Sequence, residues 1–365
     1  MNAGLRQPVK GTRNIPSLDG LRAVSVALVI LSHARGTRGF PAWVPNSLAE
    51  RGAVGVHIFF VISGFLITRL LVDELAGTGA ISLARFYARR TLRIFPPFYF
   101  FLGTIAVGTW LGFFDVPLKS FLFAATFTLN YIENGVWITG HLWSLAVEEQ
   151  FYLVWPLTIK LAGTHRAYWI AGTLAVAGPL FCLLVGLIDP GFAFYLVKSF
   201  PLVADAIAAG CVLSGALHWL RRSERMMRWA ASPWGDLAIP LVVILEVGFD
   251  HIRLRLAITE TLQNLCICYA IVRYTEFPNT LAARLLNIPI VAFIGRLSYS
   301  LYLWQQVFVN PYGTNVLQSF PLNVAASLLC ACASYYVIEL PTAGIRKRLR
   351  PQRLRDGDGA ERLVS

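Results

Sequence analysis

Charge is scarce in this sequence. Asp, Glu, Lys and Arg make up 14% of its 365 residues, where a soluble domain carries roughly 25%. An ordinary water-soluble fold is excluded, because 56% of the residues are hydrophobic and the mean hydropathy is +0.58. Apolar surface on that scale must be hidden in lipid as well as in a core. Cysteine is also sparse, at six residues. Cys182 and Cys211 stand alone. Cys266/Cys268 and Cys330/Cys332 are spaced i, i+2, which puts each pair on opposite sides of a helix and excludes a chelating pair. All six read as small core or lipid-facing residues, and no metal is expected. There is no internal repeat and no linker. No cleavable leader precedes the first apolar segment, which therefore reads as a signal anchor.

What the chain does have is long apolar runs. A spanning helix needs about 20 mostly apolar residues. Ten stretches qualify, near 17–35, 54–72, 95–113, 141–160, 167–187, 199–219, 233–250, 256–273, 289–309 and 321–341. A shorter piece, 118–131, reads as re-entrant or interfacial. The expected fold is all-α, a polytopic membrane bundle of about ten transmembrane helices plus one re-entrant helix. The net charge of +12 would suit nucleic acid, but its distribution argues against that partner. Arg85, Arg89, Arg90 and Arg93 share one loop, and Arg221, Arg222, Arg225 and Arg228 another. Arg346, Lys347, Arg348, Arg350, Arg353 and Arg355 crowd the tail. With an even number of spans, all of these lie on one side, together with Arg6, Lys10 and Arg13. The positive-inside rule makes that side the cytoplasm. The opposite loops hold fewer: Arg35, Arg38 and Arg51, then Arg253 and Arg255. Both termini are then cytoplasmic. Residues 1–345 read as one transmembrane domain and 346–365 as a basic, disordered tail.

Ionisable groups inside a span are costly and usually face the bundle interior. Arg22 and His33 are eleven residues apart, three turns of helix, so they share a face. At a rise of about 1.5 Å per residue they lie roughly 16 Å apart along the axis and mark two depths of one channel. Asp19, three residues before Arg22, can pair with it. A snorkelling arginine and an interfacial histidine are the plain alternative. In the second stretch, Gly55, Ser63 and Gly64 are small enough to let helices approach closely. His57 has no assigned role, and His165, His218 and His251 read as interfacial. Arg90 and Arg93, spaced i, i+3 at the start of a span, suit a phosphate arriving from the cytoplasm. A purely topogenic loop would look the same. Glu148 and Glu149 are adjacent, about 100° apart on a helix, so only one can point squarely into a channel. Glu148 is preferred because it follows His141 by seven residues, nearly on the same face. Further along lie Asp205 and the polar run "GRLSYSLYLWQQ" at 295–306. There Tyr299, Tyr302 and Gln305 or Gln306 are candidates to bind a polar ligand, or to hydrogen-bond between helices.

Taken in order, these residues resemble the acyltransferase-3 membrane proteins, which O-acylate cell-surface glycans and some small metabolites. The resemblance runs from Ser17 to Pro341. Arg22 and His33 fit that family's basic-residue, ten-residue-gap, histidine motif. "FFVISGFLI" (59–67) is similar to its second-span signature, Arg90 and Arg93 to its R-x-x-R, and "WSLAVEEQFY" (143–152) to its acidic signature. Asp205 lies in a stretch like its "D…G", and "SYSLYLW" (298–304) and "IELP" (338–341) resemble its later motifs. The family often places His after "LYLW"; here Gln305 stands. Some relatives carry an extracellular esterase-like domain; this chain is expected to act without one, alone or with a separate partner.

The resemblance implies an acyl-CoA donor, acetyl-CoA first among them, used from the cytoplasm. It also implies an acceptor hydroxyl on a surface polysaccharide or its lipid-linked precursor, in a bacterial inner membrane. Arg90, Arg93, Arg22 and Ser63 would hold the donor. His33 would deprotonate the acceptor hydroxyl. Glu148 would orient His33 as a carboxylate does in a hydrolase triad, with Arg22 and Asp19 completing the catalytic set. Glu149, Asp205, Tyr299, Tyr302 and Gln305 would contact substrate. Ser32 neighbours His33 in sequence and so points elsewhere, which favours direct transfer over an acyl-enzyme. Membrane lipids are the surrounding partner, nucleic acid is not one, and a homodimer is left open. A lipid-carrier glycosyltransferase would need a D-x-D-like pair in an early external loop, where residues 36–53 offer only Glu50; Asp356-Gly-Asp358 lies in the tail. A proton-coupled transporter using Arg22, His33 and Glu148 is the alternative from another class, but its usual two similar halves are missing.

Overall fold

The computed structural model describes residues 15–46, 52–132, 135–188, 200–247 and 258–349. Helices dominate them, and no strand occurs among the described residues. In chain order the principal helices are α1 (Pro16–Ala34), α2 (Gly52–Thr78), α3 (Leu83–Trp110), α4 (Leu118–Ala125) and α5 (Leu142–Ile188). They continue with α6 (Phe200–Arg222), α7 (Ala238–Val247), α8 (Glu260–Glu276), α9 (Pro289–Phe308), α10 (Leu322–Ser334) and α11 (Leu340–Arg348).

Among the described residues six helical segments are long and apolar enough to cross a membrane. The count falls short of the ten expected stretches for local reasons. The stretches at 141–160 and 167–187 lie in the one long segment that contains α5, and are separated by Gly163, whose φ of 80° and ψ of 161° break the helix. A side chain with a Cβ is strained at that φ. α8 has 17 residues and carries Glu260, Arg273 and Glu276. α7 has ten described residues. The stretch at 118–131 becomes the eight-residue α4 and a single 3₁₀ turn, Leu129–Tyr131, too short to span. α10 passes through a π-helical stretch, Tyr335–Glu339, into α11. That helix runs through Arg348, beyond the domain boundary expected at 345, while 350–365 lie outside the described residues. All six cysteines are free thiols.

The helices start and stop where local chemistry directs. Pro16 opens α1 at a position whose N–H has no intrahelical acceptor. Ser82 caps α3 by accepting from the Arg85 amide. Pro96 and Pro97, inside α3, supply no N–H, so the Leu92 and Arg93 carbonyls lack their usual i+4 donors.

α2 is the central helix. Its Ile58, Val61, Ile62, Phe65, Ile67 and Leu71 are buried in the main apolar cluster. A smaller cluster joins α1, α9 and α10 through Val26, Ile30, Leu297, Leu301 and Ala331. α6 packs on α2 at backbone distance: a Cβ on Gly64 would overlap the Ile207 carbonyl, and one on Gly210 the Val61 carbonyl. The loop after α2 is tied down by a buried carboxylate. Glu74, 3% exposed, pairs with Arg89 at 3.1 Å and Arg85 at 3.7 Å and accepts from the Ser82 amide. Trp169, Val176, Leu180 and Leu184 on the later half of α5 are exposed, as suits a lipid-facing surface. The molecule is a helical membrane bundle.

Candidate active site

α1, α2, α3, the first half of α5 and α9 surround a cavity of about 790 Å³, counted with its mouth. Its wall gathers residues far apart in sequence: Arg22 from α1, Ser63 from α2, Arg90 and Arg93 from α3, Glu148 and Glu149 from α5, and Tyr299 and Tyr302 from α9. Val56, Phe59, Phe60 and Leu66 complete the α2 side. Three guanidiniums and two carboxylates thus share one largely buried space.

Glu148 is held by Ser63, whose hydroxyl donates to Glu148 Oε1 at 2.8 Å. Tyr152, one turn after Glu148, donates to the same Ser63 oxygen at 3.1 Å. Arg90 lies over the Tyr152 ring at 4.6 Å from its centroid. Glu149 Oε1 is buried with no hydrogen-bond partner. Tyr299 donates to the Ile94 carbonyl at 2.9 Å. Tyr302 donates to the His141 carbonyl at 2.9 Å and lies 2.7 Å from Ser144 Oγ. Both tyrosines therefore line the cavity with hydroxyls already committed to protein.

His33 is not on the cavity wall. Its Nδ1 lies 2.9 Å from Gln305 Oε1 and its Nε2 3.2 Å from Gln306 Nε2. Its ring meets Trp137 edge-on, with centroids 5.3 Å apart. His141 stands on the far side of Gln306, with Nδ1 2.7 Å and its backbone N–H 3.2 Å from Gln306 Oε1. His141 Nε2 faces the Leu303 carbonyl at 3.1 Å.

The expectation that Glu148 orients His33 is therefore corrected: Glu148 bonds Ser63, and His33 bonds two amides. Depth explains the difference. His141 shares an amide with His33, while Glu148 shares the cavity with Arg22, so α1 and the first half of α5 run antiparallel. Seven residues of helix, about 10 Å, then carry Glu148 away from His33 and towards Arg22. Gln305, expected to touch substrate, bonds the histidine.

Asp19 accepts from Arg22 at 3.5 Å but does not line the cavity. Asp205 lies elsewhere too, accepting from Asn264 of α8 at 2.8 Å. α6 packs on the α2 face bearing Val61, Gly64 and Phe65, whereas the cavity face bears Phe59, Phe60 and Ser63. The intervening helix separates Asp205 from the cavity. Tyr152 and Ser144 are site residues that the sequence reading did not select. The i+4 spacing of Tyr152 from Glu148 was a usable signal. Gln306 was named as an alternative to Gln305, but its histidine partners had no local signal, since they are 165 and 273 residues away.

The sequence profile of an acyltransferase domain matches residues 15–339. O-acetyltransferase OatA of Staphylococcus aureus strain NCTC 8325 is 30% identical over 378 residues, covering 92% of this chain and 58% of that protein. A protein of Staphylococcus aureus strain COL, named as a candidate O-acetyltransferase, is 29% identical over 374 residues, covering 91% of this chain and 58% of its own length. The chain thus spans a little over half the length of these relatives. No solved structure matches it. With the profile running from the start of α1 to the end of the π-helical stretch, this chain belongs to the acyltransferase-3 family.

Proposed function

We propose that the chain is a membrane O-acyltransferase that moves an acetyl or other short acyl group from cytoplasmic acyl-CoA to a hydroxyl of a surface polysaccharide or its lipid-linked precursor. The observation that carries this reading is the gathering of Arg22, Arg90 and Arg93 around one buried cavity in a member of this family. Guanidiniums match phosphate geometry and keep their charge, so the cavity suits the polyanionic end of CoA. The acyl-bearing arm would extend along the α1 face from Arg22 towards His33. His33 would take the proton of the acceptor hydroxyl as its oxygen bonds the acyl carbon. The C–S bond then breaks, the CoA thiolate leaves and is protonated from solvent, and His33 returns its proton to solvent. Glu149, with an unpaired buried oxygen, is suited to accept from an amide N–H of the donor arm. The architecture proposed is ten spans with both termini in the cytoplasm of a bacterium and the three arginine clusters facing inward.

The test is turnover of radiolabelled acetyl-CoA by the protein purified in detergent, wild type beside His33→Ala. The reading expects donor binding in both and CoA release in the wild type alone. A folded wild type that binds no acyl-CoA refutes it and makes substrate uptake by a transporter the next assay.

A further inference from the structure

His33 is held by two consecutive amides, and the hydrogen-bond pattern fixes where its proton sits. The starting point is a donor that cannot be reassigned, the backbone N–H of His141. It lies 3.2 Å from Gln306 Oε1, so that end of the Gln306 side chain is the carbonyl. The opposite end is the NH₂, and it faces His33 Nε2 at 3.2 Å. An NH₂ group only donates, so His33 Nε2 presents a lone pair. A neutral imidazole then carries its hydrogen on Nδ1, which donates to Gln305 Oε1 at 2.9 Å. Rotating either amide by 180° breaks the set, because it places two donors or two acceptors face to face.

The Gln305 amide makes no other bond to account for its burial. It is fully buried, yet its NH₂ has no hydrogen-bond partner. Burying an unpaired amide costs stability, and its single bond to His33 is what that burial achieves. Trp137, edge-on to the ring, limits the remaining freedom of the imidazole.

We propose that Gln305 and Gln306 are positioning residues that lock His33 in the Nδ1–H tautomer, with Nε2 as the nitrogen that accepts the proton of the acceptor hydroxyl. Gln305 does with a neutral carbonyl what a carboxylate does for the histidine of a hydrolase triad. Gln306 occupies the Nε2 lone pair in the resting enzyme through a 3.2 Å contact, which an acceptor hydroxyl displaces. The role in proton transfer rests on the reading of His33 as the base; the tautomer does not.

The experiment is nitrogen NMR of the full-length protein labelled with ¹⁵N-histidine in lipid, with the His33 signals identified by their loss in His33→Ala. The wild type should show a protonated Nδ1 and a bare Nε2. Gln305→Met, of similar length but without the acceptor, should leave the Nε2 lone pair that Gln306 fixes and strip Nδ1–H of its acceptor, moving the Nδ1 nitrogen and proton signals upfield. Its kcat should fall at least tenfold while KM for acyl-CoA stays within twofold. Gln305→Glu, which restores an acceptor, should recover the hydrogen-bonded Nδ1 signal and most of the turnover lost in Gln305→Met. A wild-type proton on Nε2, or an Nδ1 signal unchanged in Gln305→Met, overturns the assignment without needing any activity. Undiminished turnover in His33→Ala would instead refute the base while leaving the spectrum to be judged separately.

Discussion

Arg90 and Arg93 sit one helical turn apart and meet different company. Arg90 stacks on Tyr152 and lies within electrostatic reach of Glu148 and Glu149, while Arg93 reaches Glu148 and Glu339 without a ring contact of that kind among the described residues. A guanidinium committed to a ring is partly a packing residue, so the two should fail differently. Arg93→Ala should raise KM for acyl-CoA about tenfold, the loss of one charge-assisted phosphate contact, with kcat nearly unchanged. Steady-state kinetics at varied donor decides this, and an unchanged KM removes Arg93 from the donor site. Arg90→Ala should lower the melting temperature in detergent as well as donor affinity. That Arg22, Arg90, Arg93 and Glu148 are residues of note in the bundle was legible in the sequence, because scarce charge singles them out; that they share one cavity was not. Nor was the partner of His33. A shared face on one helix says nothing about depth on another, and Glu148 proved to be at the level of Arg22.

Among the elements, the seam between α2 and α6 is the tightest. Gly64 and Gly210 each face the other helix's backbone, leaving no room for a side chain. Gly64→Val should cost about 3 kcal/mol or force the helices apart. It should appear as a lower melting temperature and reduced accumulation of inserted protein; a wild-type melting curve would show that the seam relaxes freely. The small residues of the second apolar stretch announced such a seam, but not which helix would fill it. The same ignorance placed Asp205 among the substrate contacts, although α2 stands between it and the cavity. Gly163 carries a similar lesson. Composition separates two apolar stretches there, and only backbone geometry shows them as one kinked element.

At the scale of the molecule, apolar length and arginine distribution were enough to read a helical membrane bundle, while the number of spans was not fixed by them. Helices such as α8 and α9 carry polar residues inward, so hydropathy understates them: Gln263, Asn264, Gln305 and Gln306 are all buried. Sidedness remains testable. Cysteines placed at the exposed positions Tyr312 and Arg225 should react with a membrane-impermeant maleimide from opposite sides, Tyr312→Cys in intact cells and Arg225→Cys only after lysis. Labelling of both from outside would reverse or break the proposed topology.

The clasp at Glu74 divides a row of arginines that looks uniform in sequence. Arg85 and Arg89 are bound to Glu74, a carboxylate almost sealed from water, whereas Arg90 and Arg93 line the cavity that a donor would enter through its mouth. Mobile ions screen exposed charges within about 8 Å at physiological ionic strength and reach buried pairs far less. Raising the potassium chloride concentration should therefore weaken capture of a polyphosphate donor while leaving the loop that presents those arginines intact. A protein that loses its donor in brine and keeps its melting temperature would be displaying that division directly.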